Sequence, residues 1–237
     1  MREMLLMAMR GARDVVRRQE VNMNNLANVS TDGFRKEIAH IQRDANGHGV
    51  RNTTPDFSPG DIRTTGNSLD VAIAGRGWIA VAAPGGGETY SRRGDLRVDE
   101  LGQLVNGAGQ QLLGNRGPIS IPPHGNIEIG SDGTVSVLPL GESANTLAVI
   151  DRIKLVNPGP AGLERGQDGL FRLANGAVAE EAADVRLVSG SLESSNVNAI
   201  ESLVQMIDLS RAFESQVKMM KVAKEKQEHL AQVIKLR

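Results

Sequence analysis

Apolar residues recur with helical spacing at both ends of the chain. Between Asn198 and Arg237, nine positions follow one another in alternating steps of three and four residues and seven of them are apolar; we call them the C-terminal seam (Met206, Leu209, Phe213, Gln216, Met220, Ala223, Gln227, Leu230 and Ile234). Such steps align side chains along one side of a helix, as in a coiled-coil heptad. Asn198 with Glu201 three residues later predicts a capped helix start. The pattern predicts one long helix.

The same spacing occurs near the N-terminus. Six of its seven positions are apolar, and we call the set the N-terminal seam (Leu5, Met9, Ala12, Val16, Gln19, Met23 and Leu26). One long exposed seam is unstable in water, so each predicted helix needs helical partners. Either the C-terminal helix folds back over its own domain, or the two termini pair and assemble with other chains. The matching seams favour assembly.

Four asparagines between Asn22 and Asn28 precede Asp32-Gly33 and Phe34. Asparagines are poor helix formers and Asp-Gly is a turn signal, so the first helix is predicted to end here. The amides either cap a solvated helix end or form interhelical hydrogen bonds. Gly33 is expected at positive φ, and a side chain there is expected to hinder assembly while sparing the rest of the fold.

From Leu69 onward the pattern becomes that of short strands and turns. Apolar alternation between glycine-rich turns predicts strands at 69–73, 78–81, 96–98, 104–105, 127–129, 135–137, 149–156, 170–173 and 185–188. The predicted fold class is therefore α+β, with a discontinuous helical or coiled-coil domain from both termini and a central antiparallel β domain. The predicted boundaries are 1–43 for the N-terminal helix and its turn, 44–67 for an extended connector, 68–190 for the β domain and 191–237 for the C-terminal helix.

Composition narrows the functional classes. A formal net charge of -1 argues against a general nucleic-acid binder, and the absence of cysteine excludes a disulfide framework. No stretch approaches the roughly 20 apolar residues of a membrane span, so membrane insertion is not expected. The apolar run from Met4 to Met9 is short for a signal peptide, and no small-residue cleavage site follows it. We expect no cleaved signal.

Candidate catalytic and ligand-binding groups are weak. His40, Asp44 and His48 have the spacing of metal ligands on one helix, but the glycines around them favour a solvated loop. Gly75 to Ala80 matches G-x-G-x-x-A, yet strand-like residues follow where a dinucleotide site needs a helix, so a hairpin is expected. Three acidic residues cluster on what is interpreted as a solvated edge, namely Glu180, Glu181 and Asp184. The prediction is a protein without catalytic, metal or cofactor residues.

Several motifs resemble those of bacterial flagellar rod and hook proteins. They cover nearly the whole chain in order, at 24–35 (NNLANVSTDGFR), 69–78 (LDVAIAGRGW), 90–94 (YSRRG), 102–105 (GQLV), 190–197 (GSLESSNV), 206–207 (MI) and 211–214 (RAFE). The residues taken as the family signature are Asn24, Asn25, Leu26, Ala27, Asn28, Gly33, Phe34, Glu193, Ser195, Asn196 and Val197.

The resemblance implies a structural subunit of the axial rod, which transmits torque from the motor to the hook. It implies a helical domain from both termini that stacks with those of neighbouring subunits, with the β domain outside. The implied partners are other rod proteins (FlgB, FlgC and FlgG), further copies of the chain and the flagellar type III export apparatus, with no nucleic acid. The predicted assembly interface is Leu5, Met9, Val16, Met23, Leu26, Met206, Leu209, Phe213, Met220, Leu230 and Ile234.

Within the family, Trp78 and the 155–173 region resemble the proximal-rod branch, and the distal-rod branch is the alternative. A rival from another class is a periplasmic protein that binds or acts on peptidoglycan. That function would need paired carboxylates or an aromatic platform. One Trp and one Tyr supply such a platform poorly.

Overall fold

Two helices and many short strands make up the protein. The computed structural model describes residues 2–43, 49–139, 147–159, 162–166 and 168–235. Helix α1 spans Arg2–Ala27 and helix α2 spans Ala199–Lys235. The strands within the described residues are β1 (Glu37–Arg43), β2 (Gly49–Pro55), β3 (Ile62–Thr64), β4 (Val71–Ala74), β5 (Trp78–Ala82), β6 (Glu88–Ser91), β7 (Leu96–Val98), β8 (Leu104–Asn106), β9 (Leu113–Gly114), β10 (Gly117–Pro118), β11 (His124–Ile129), β12 (Thr134–Pro139), β13 (Ala148–Arg152), β14 (Leu155–Val156), β15 (Leu163–Arg165), β16 (Phe171–Leu173), β17 (Arg186–Ser189) and β18 (Ser191–Glu193).

The chain divides into two compact units, each built from separate segments. The helical unit comprises residues 1–29, 36–56 and 197–237, and the β unit comprises 30–35 and 57–196. The predicted α+β class is confirmed. The β unit begins earlier and ends later than the predicted 68–190, because the turn after α1 and strands β3 and β18 belong to it.

In the helical unit, α1 and α2 pack against each other in antiparallel directions. The Asn22 side-chain amide donates to the Ser202 carbonyl over 2.7 Å, and a Cβ at Gly11 would lie 2.8 Å from the Gln216 side chain. A later residue of α1 thus contacts an earlier residue of α2, as expected for antiparallel helices. The buried apolar positions of the pair among the described side chains include the small residues Ala8, Ala12 and Ala223, which allow the helices to approach closely.

The start of α2 is capped as predicted. The Asn198 side-chain oxygen accepts hydrogen bonds from the backbone N–H groups of Ile200 at 3.0 Å and Glu201 at 3.1 Å. These are two of the donors that a helix start leaves without intrahelical partners. None of the described helices is apolar over enough of its length to cross a membrane.

A hairpin of β1 and β2 occupies part of the predicted N-terminal segment and connector. The two strands pair antiparallel with Glu37 opposite Pro55 and Arg43 opposite Gly49. The expected extended connector is thus a paired strand over 49–55, and β3 is a second strand within it. His40 lies on β1 rather than in a loop, and Asp44 and His48 lie outside the described residues. The two strands lack the apolar alternation of a half-buried strand, so no strand is predicted there from the sequence.

The β unit contains a five-stranded sheet in the order β14-β5-β6-β16-β15 and a three-stranded sheet in the order β11-β12-β13. Further antiparallel pairs are β4 with β17, β3 with β18, β7 with β8, and β9 with β10. Every predicted strand has a counterpart among these, although the predicted 149–156 strand is divided into β13 and β14.

Strand β5 is buried on both faces, which explains its unbroken apolar sequence. Ile79 and Val81 point into an aliphatic core, while Trp78 and Ala80 belong to a second cluster that contains Tyr90 and Phe171. Alternate side chains of a strand point to opposite faces, so a strand between two cores needs apolar residues at every position. Strand β5 thus contributes side chains to both apolar clusters of the β unit.

The glycines of the G-x-G-x-x-A match connect two different sheets. Gly75 and Gly77 lie between β4 and β5, with φ of 86° and 134°. β4 pairs with β17, whereas β5 pairs with β6 and β14, so the predicted hairpin is wrong. A strand follows the glycines, and the helix N-terminus that would hold a pyrophosphate does not follow them.

The only tyrosine provides a test of this core. Burial raises the pKa of Tyr90 to about 12 from 10.0, although the N–H of Ala179 donates to its hydroxyl. The unfolded chain loses this proton at lower pH, so stability due to Tyr90 is complete below pH 10 and is lost as the pH rises toward 12. We expect tyrosinate absorbance to titrate near 12 in the folded protein. The alkaline loss of unfolding free energy should be smaller in Tyr90→Phe; titration near 10 in folded protein would contradict the burial.

Candidate functional site

A buried carboxylate on β18 joins distant parts of the β unit. The side chain of Glu193 is 1% exposed and accepts a hydrogen bond from Arg35 at 2.6 Å and another from Arg92 at 2.8 Å. The backbone N–H of Gly60 donates to the same carboxylate at 2.9 Å. We call Glu193, Arg35 and Arg92 the Glu193 cluster. Its members are separated by 101 and 158 residues from Glu193 along the chain.

Burial and charge oppose each other at Arg92. Desolvation lowers its pKa, and the adjacent Glu193 carboxylate counteracts that shift. The Arg92 guanidinium also donates to the carbonyls of Gly75 and Gly77, and so links the glycine-rich connection to the Glu193 cluster. Nη1 of Arg35 is buried and has no hydrogen-bond partner among the described residues. The cluster therefore carries an uncompensated desolvation cost and depends on the charge of Glu193.

The turn after α1 lies against this cluster. Gly33 has φ of 70°, as expected, and its N–H donates to the Glu193 carbonyl at 2.7 Å. A Cβ at Gly33 would lie 2.4 Å from the carbonyl carbon and oxygen of Arg92. The expectation that a side chain here would spare the rest of the fold is wrong, because the backbone of the β unit has no room for it.

The neighbouring signature residues complete the same corner of the β unit. Phe34 is buried, and the Arg165 guanidinium lies 4.5 Å from its ring centroid. Asn196 donates from its side chain to the Ser58 carbonyl at 2.9 Å and from its backbone to the Phe34 carbonyl at 3.4 Å. Ser195 is half-buried. Signature residues from both ends of the chain are thus gathered around Glu193.

The signature asparagines of the N-terminal motif belong to the helical unit. Asn25 is buried, and its side-chain amide pairs with the backbone of Glu37 in both directions, with N–H to O distances of 2.8 Å. Asn28 donates to the Asn24 carbonyl at 2.9 Å, where α1 ends. Leu26 is half-buried, Ala27 is exposed and Val197 is buried. Both interpretations of the amides therefore apply: Asn22 bonds α2, Asn25 holds β1 and Asn28 caps the end of α1.

The predicted assembly interface is only partly buried in the helix pair. Leu5 and Leu26 are half-buried, whereas the other three positions on α1 are exposed at 40%, 38% and 54% (Met9, Val16 and Met23). On α2, Phe213 is exposed and the other described positions are half-buried (Met206, Leu209 and Met220). The side chains of Leu230 and Ile234 lie outside the described part of the structure. The buried N-terminal positions include Ala8 and Asn22, each one residue before a predicted seam position.

Sequence reasoning missed an exposed apolar patch at the start of α2. We call it the α2 patch; its members are exposed by between 49% and 75% (Ile200, Leu203, Val204 and Ile207). Their spacing is that of a helix stripe, i, i+3, i+4 and i+7, which the sequence displays. The residues of the C-terminal seam lie on the opposite side of the same helix, because their positions are about half a turn away from those of the patch.

The aromatic and acidic side chains that a peptidoglycan-binding or -acting protein would need do not form such a site among the described residues. Trp78 and Tyr90 are buried in the core, and neither can form a stacking platform. Glu180, Glu181 and Asp184 are exposed, and Glu181 lies 3.6 Å from Arg152. Within the described residues no group of three or more His, Asp or Glu side chains could hold a metal ion.

These features define an α+β protein whose chain ends pair as helices and whose central segment forms a separate β unit. The family model "Flagellar basal body rod FlgEFG protein C-terminal" matches residues 188–233, and "Flagellar hook protein FlgE/F/G D1 domain" matches residues 72–137. The chain is 39% identical to the flagellar basal-body rod protein FlgF of Escherichia coli K12, over 89% of this chain and 90% of that protein. Identity is 38% to FlgF of Salmonella typhimurium LT2, over the same shares of both chains. It is 33% to FlgG of Buchnera aphidicola subsp. Schizaphis graminum, over 91% of this chain and 95% of that protein. The chain belongs to the family of flagellar basal-body rod proteins, and it resembles these FlgF sequences more than this FlgG.

Gly33→Ala and Gly86→Ala form a matched pair. Both place a Cβ on backbone with positive φ, at 70° and 84°, which costs about 1–2 kcal/mol. Only at Gly33 does the Cβ meet backbone atoms, since nothing lies within 4 Å of the same atom at Gly86. We expect Gly86→Ala to lower Tm by about 2–8 °C and Gly33→Ala to lower it more. Fluorescence of the single Trp78 follows unfolding; equal losses would mean that the turn can move away from Arg92.

Glu193→Gln tests the charge in the Glu193 cluster. The amide keeps the side-chain shape but leaves two buried guanidinium groups without a counter-charge. We expect a loss of about 3–5 kcal/mol in urea unfolding. Asp32→Asn is the control: its partner Arg63, at 3.0 Å, is 58% exposed although Asp32 itself is 17% exposed, so solvent screens the pair and we expect a loss of only about 1 kcal/mol. A Glu193→Gln loss no larger than that of Asp32→Asn would refute the role of the charge.

Proposed function

We propose that this chain is a structural subunit of the bacterial flagellar basal-body rod, in the proximal rod as an FlgF-like protein. The observation that carries the proposal, beside the family relationship, is the apolar surface that the helix pair leaves outward. The distal-rod alternative is less favoured, because the FlgG relative matches at 33% identity and the Escherichia coli FlgF at 39%. Other rod proteins and further copies of the chain are its partners.

Assembly uses the parts of the predicted interface that do not face the partner helix of the same chain. Met9, Val16 and Met23 are spaced seven residues apart and form one exposed row along α1. Burying a side chain of this kind contributes about 1.5–3 kcal/mol relative to leaving it exposed. A helix from a neighbouring subunit can cover such a row, and repeated coverage produces an axial structure.

The role in this proposal is mechanical and the chain is not an enzyme. Copies of the chain, assembled in the periplasmic rod, transmit torque from the motor to the hook. They reach this site through the flagellar type III export apparatus without a cleaved signal peptide. The basal-body location and the rod partners follow from the family, and the export route is the further step that the sequence resemblance supports.

If the exposed row contacts a neighbouring subunit, a charge in the row should prevent assembly without preventing folding. Met9→Asp and Met23→Asp place a charge where a neighbouring helix is proposed to pack, and burying an unpaired charge costs several kcal/mol. Met7→Asp is the matched control, because Met7 is 68% exposed and lies off the row. We expect normal helix content in all three purified variants, but lost swimming and absence from basal bodies only for the first two.

The readouts are circular dichroism of the purified chains, and swimming and basal-body composition in the native bacterium lacking its own copy. Normal swimming by Met9→Asp and Met23→Asp would remove the row from the interface. Normal swimming after deletion of the gene would refute the rod function itself.

A further inference from the structure

The sulfur atoms of the chain are confined to one of its two units. All eight methionines lie at positions 1–23 and 206–220, which belong to the helical unit, and there is no cysteine. The single tryptophan and the single tyrosine lie in the β unit, and both are buried. Oxidants convert the methionine thioether to the sulfoxide. An oxidant that reacts with sulfur therefore modifies the helical unit and spares the β unit.

The methionines differ in exposure. Four of those with described side chains are exposed by between 40% and 68% (Met7, Met9, Met23 and Met219). Met206 and Met220 are half-buried. An oxidant in solution reaches an exposed sulfur more often than a half-buried one, so the exposed four should react first. Two of them, Met9 and Met23, belong to the exposed row on α1.

We propose that Met9 and Met23 are modification sites for hydrogen peroxide, and that their sulfoxides keep the chain out of the rod. The inference rests on the proposed rod function and adds a chemical condition to it, because both sulfur atoms must be in the thioether form before assembly. In the reaction, the thioether sulfur attacks one oxygen of the peroxide. The S–O bond forms as the O–O bond breaks, sulfur is oxidised by two electrons, and the second oxygen takes up the proton and leaves as water.

The sulfoxide changes the row where a neighbouring subunit is proposed to pack. Met9 and Met23 flank Val16 at seven-residue spacing, so they supply two of the three apolar side chains of the row. Oxidation adds to each a polar oxygen that accepts hydrogen bonds, and burying this oxygen without a donor is unfavourable. Ala8 and Ala12, which lie inside the helix pair, contain no sulfur. Oxidation at the two sites should therefore prevent assembly while the helix pair stays folded.

Peptide mass spectrometry of the folded, purified chain tests the two sites. During a timed exposure to hydrogen peroxide, we expect Met9 and Met23 to be oxidised about threefold faster than the half-buried Met220. In urea, where exposure no longer differs, the three rates should become similar. Circular dichroism should show unchanged helix content when Met9 and Met23 have reacted. Equal rates at the three positions in the folded chain, or a loss of helix content at that stage, would overturn the inference.

The consequence for assembly is measured in the native bacterium lacking its own copy and its methionine sulfoxide reductases, which reverse the reaction. Chain labelled just before a short peroxide pulse is followed into basal bodies, and each variant is compared with its own untreated culture. We expect the pulse to lower incorporation of the unmodified chain by about fivefold, and that of Met9→Leu with Met23→Leu by less than about twofold, because leucine is apolar and contains no sulfur. Met7→Leu with Met219→Leu is the matched control, since it removes two exposed methionines off the row and should remain as sensitive as the unmodified chain.

The unmodified chain gives a second readout that needs no substitution. Sulfoxide at positions 9 and 23 should be depleted in basal bodies relative to the unassembled chain, whereas sulfoxide at position 7 should be equally frequent in both. Equal frequencies at positions 9 and 23, or equal sensitivity of the two double variants, would overturn the inference and leave the rod function intact. If the unmodified chain is absent from untreated basal bodies, the rod function fails, and oxidation of the purified chain still tests the two sites.

Discussion

The buried charge of Glu193 is the constraint on which the β unit's architecture depends. A carboxylate that is 1% exposed is stable only with strong partners, and here two arginines and a backbone N–H supply them. Each partner comes from a different segment, so satisfying one side chain fixes three segments together. Arg92 extends the constraint to the carbonyls of Gly75 and Gly77, between two sheets.

The residues around Glu193 lie near the four points at which the chain enters or leaves the β unit. The β unit consists of a short segment, residues 30–35, and a long segment, residues 57–196. Gly33 and Arg35 bond to Glu193 from the first segment, Gly60 bonds to it near the start of the second, and Asn196 bonds to Ser58 and Phe34 at its end. All four crossings are therefore held close together on the β unit. Five of the eleven signature residues belong to this part of the β unit (Gly33, Phe34, Glu193, Ser195 and Asn196).

Local patterns were predicted well, and long-range partners were not. The apolar run around Ile79, the Asn198 cap and the positive φ of Gly33 each depend on a few consecutive residues, and the structure has all three. Glu193 was identified only as part of a motif, because nothing near it in sequence indicates that Arg35 and Arg92 will surround it. The hairpin of β1 and β2 was missed because its sequence lacks apolar alternation, while the backbone pairing of the two strands and the hydrogen bond from Asn25 to Glu37 leave no local sequence pattern.

The helix pair shows why heptad spacing alone could not separate internal packing from assembly. Small residues such as Ala8 and Ala12 lie inside the pair, while larger apolar residues such as Met9, Val16 and Met23 lie outside. An isolated soluble helix pair would gain more by burying the larger side chains, so this distribution is unfavourable for a protein that stays alone. In the assembly that we propose, the same distribution is favourable: close packing of small residues forms the helix pair, and the larger apolar side chains remain available for contact with a neighbouring subunit. The flexible methionines in that row can also adapt to neighbours that differ in sequence, as a subunit placed among other rod proteins requires.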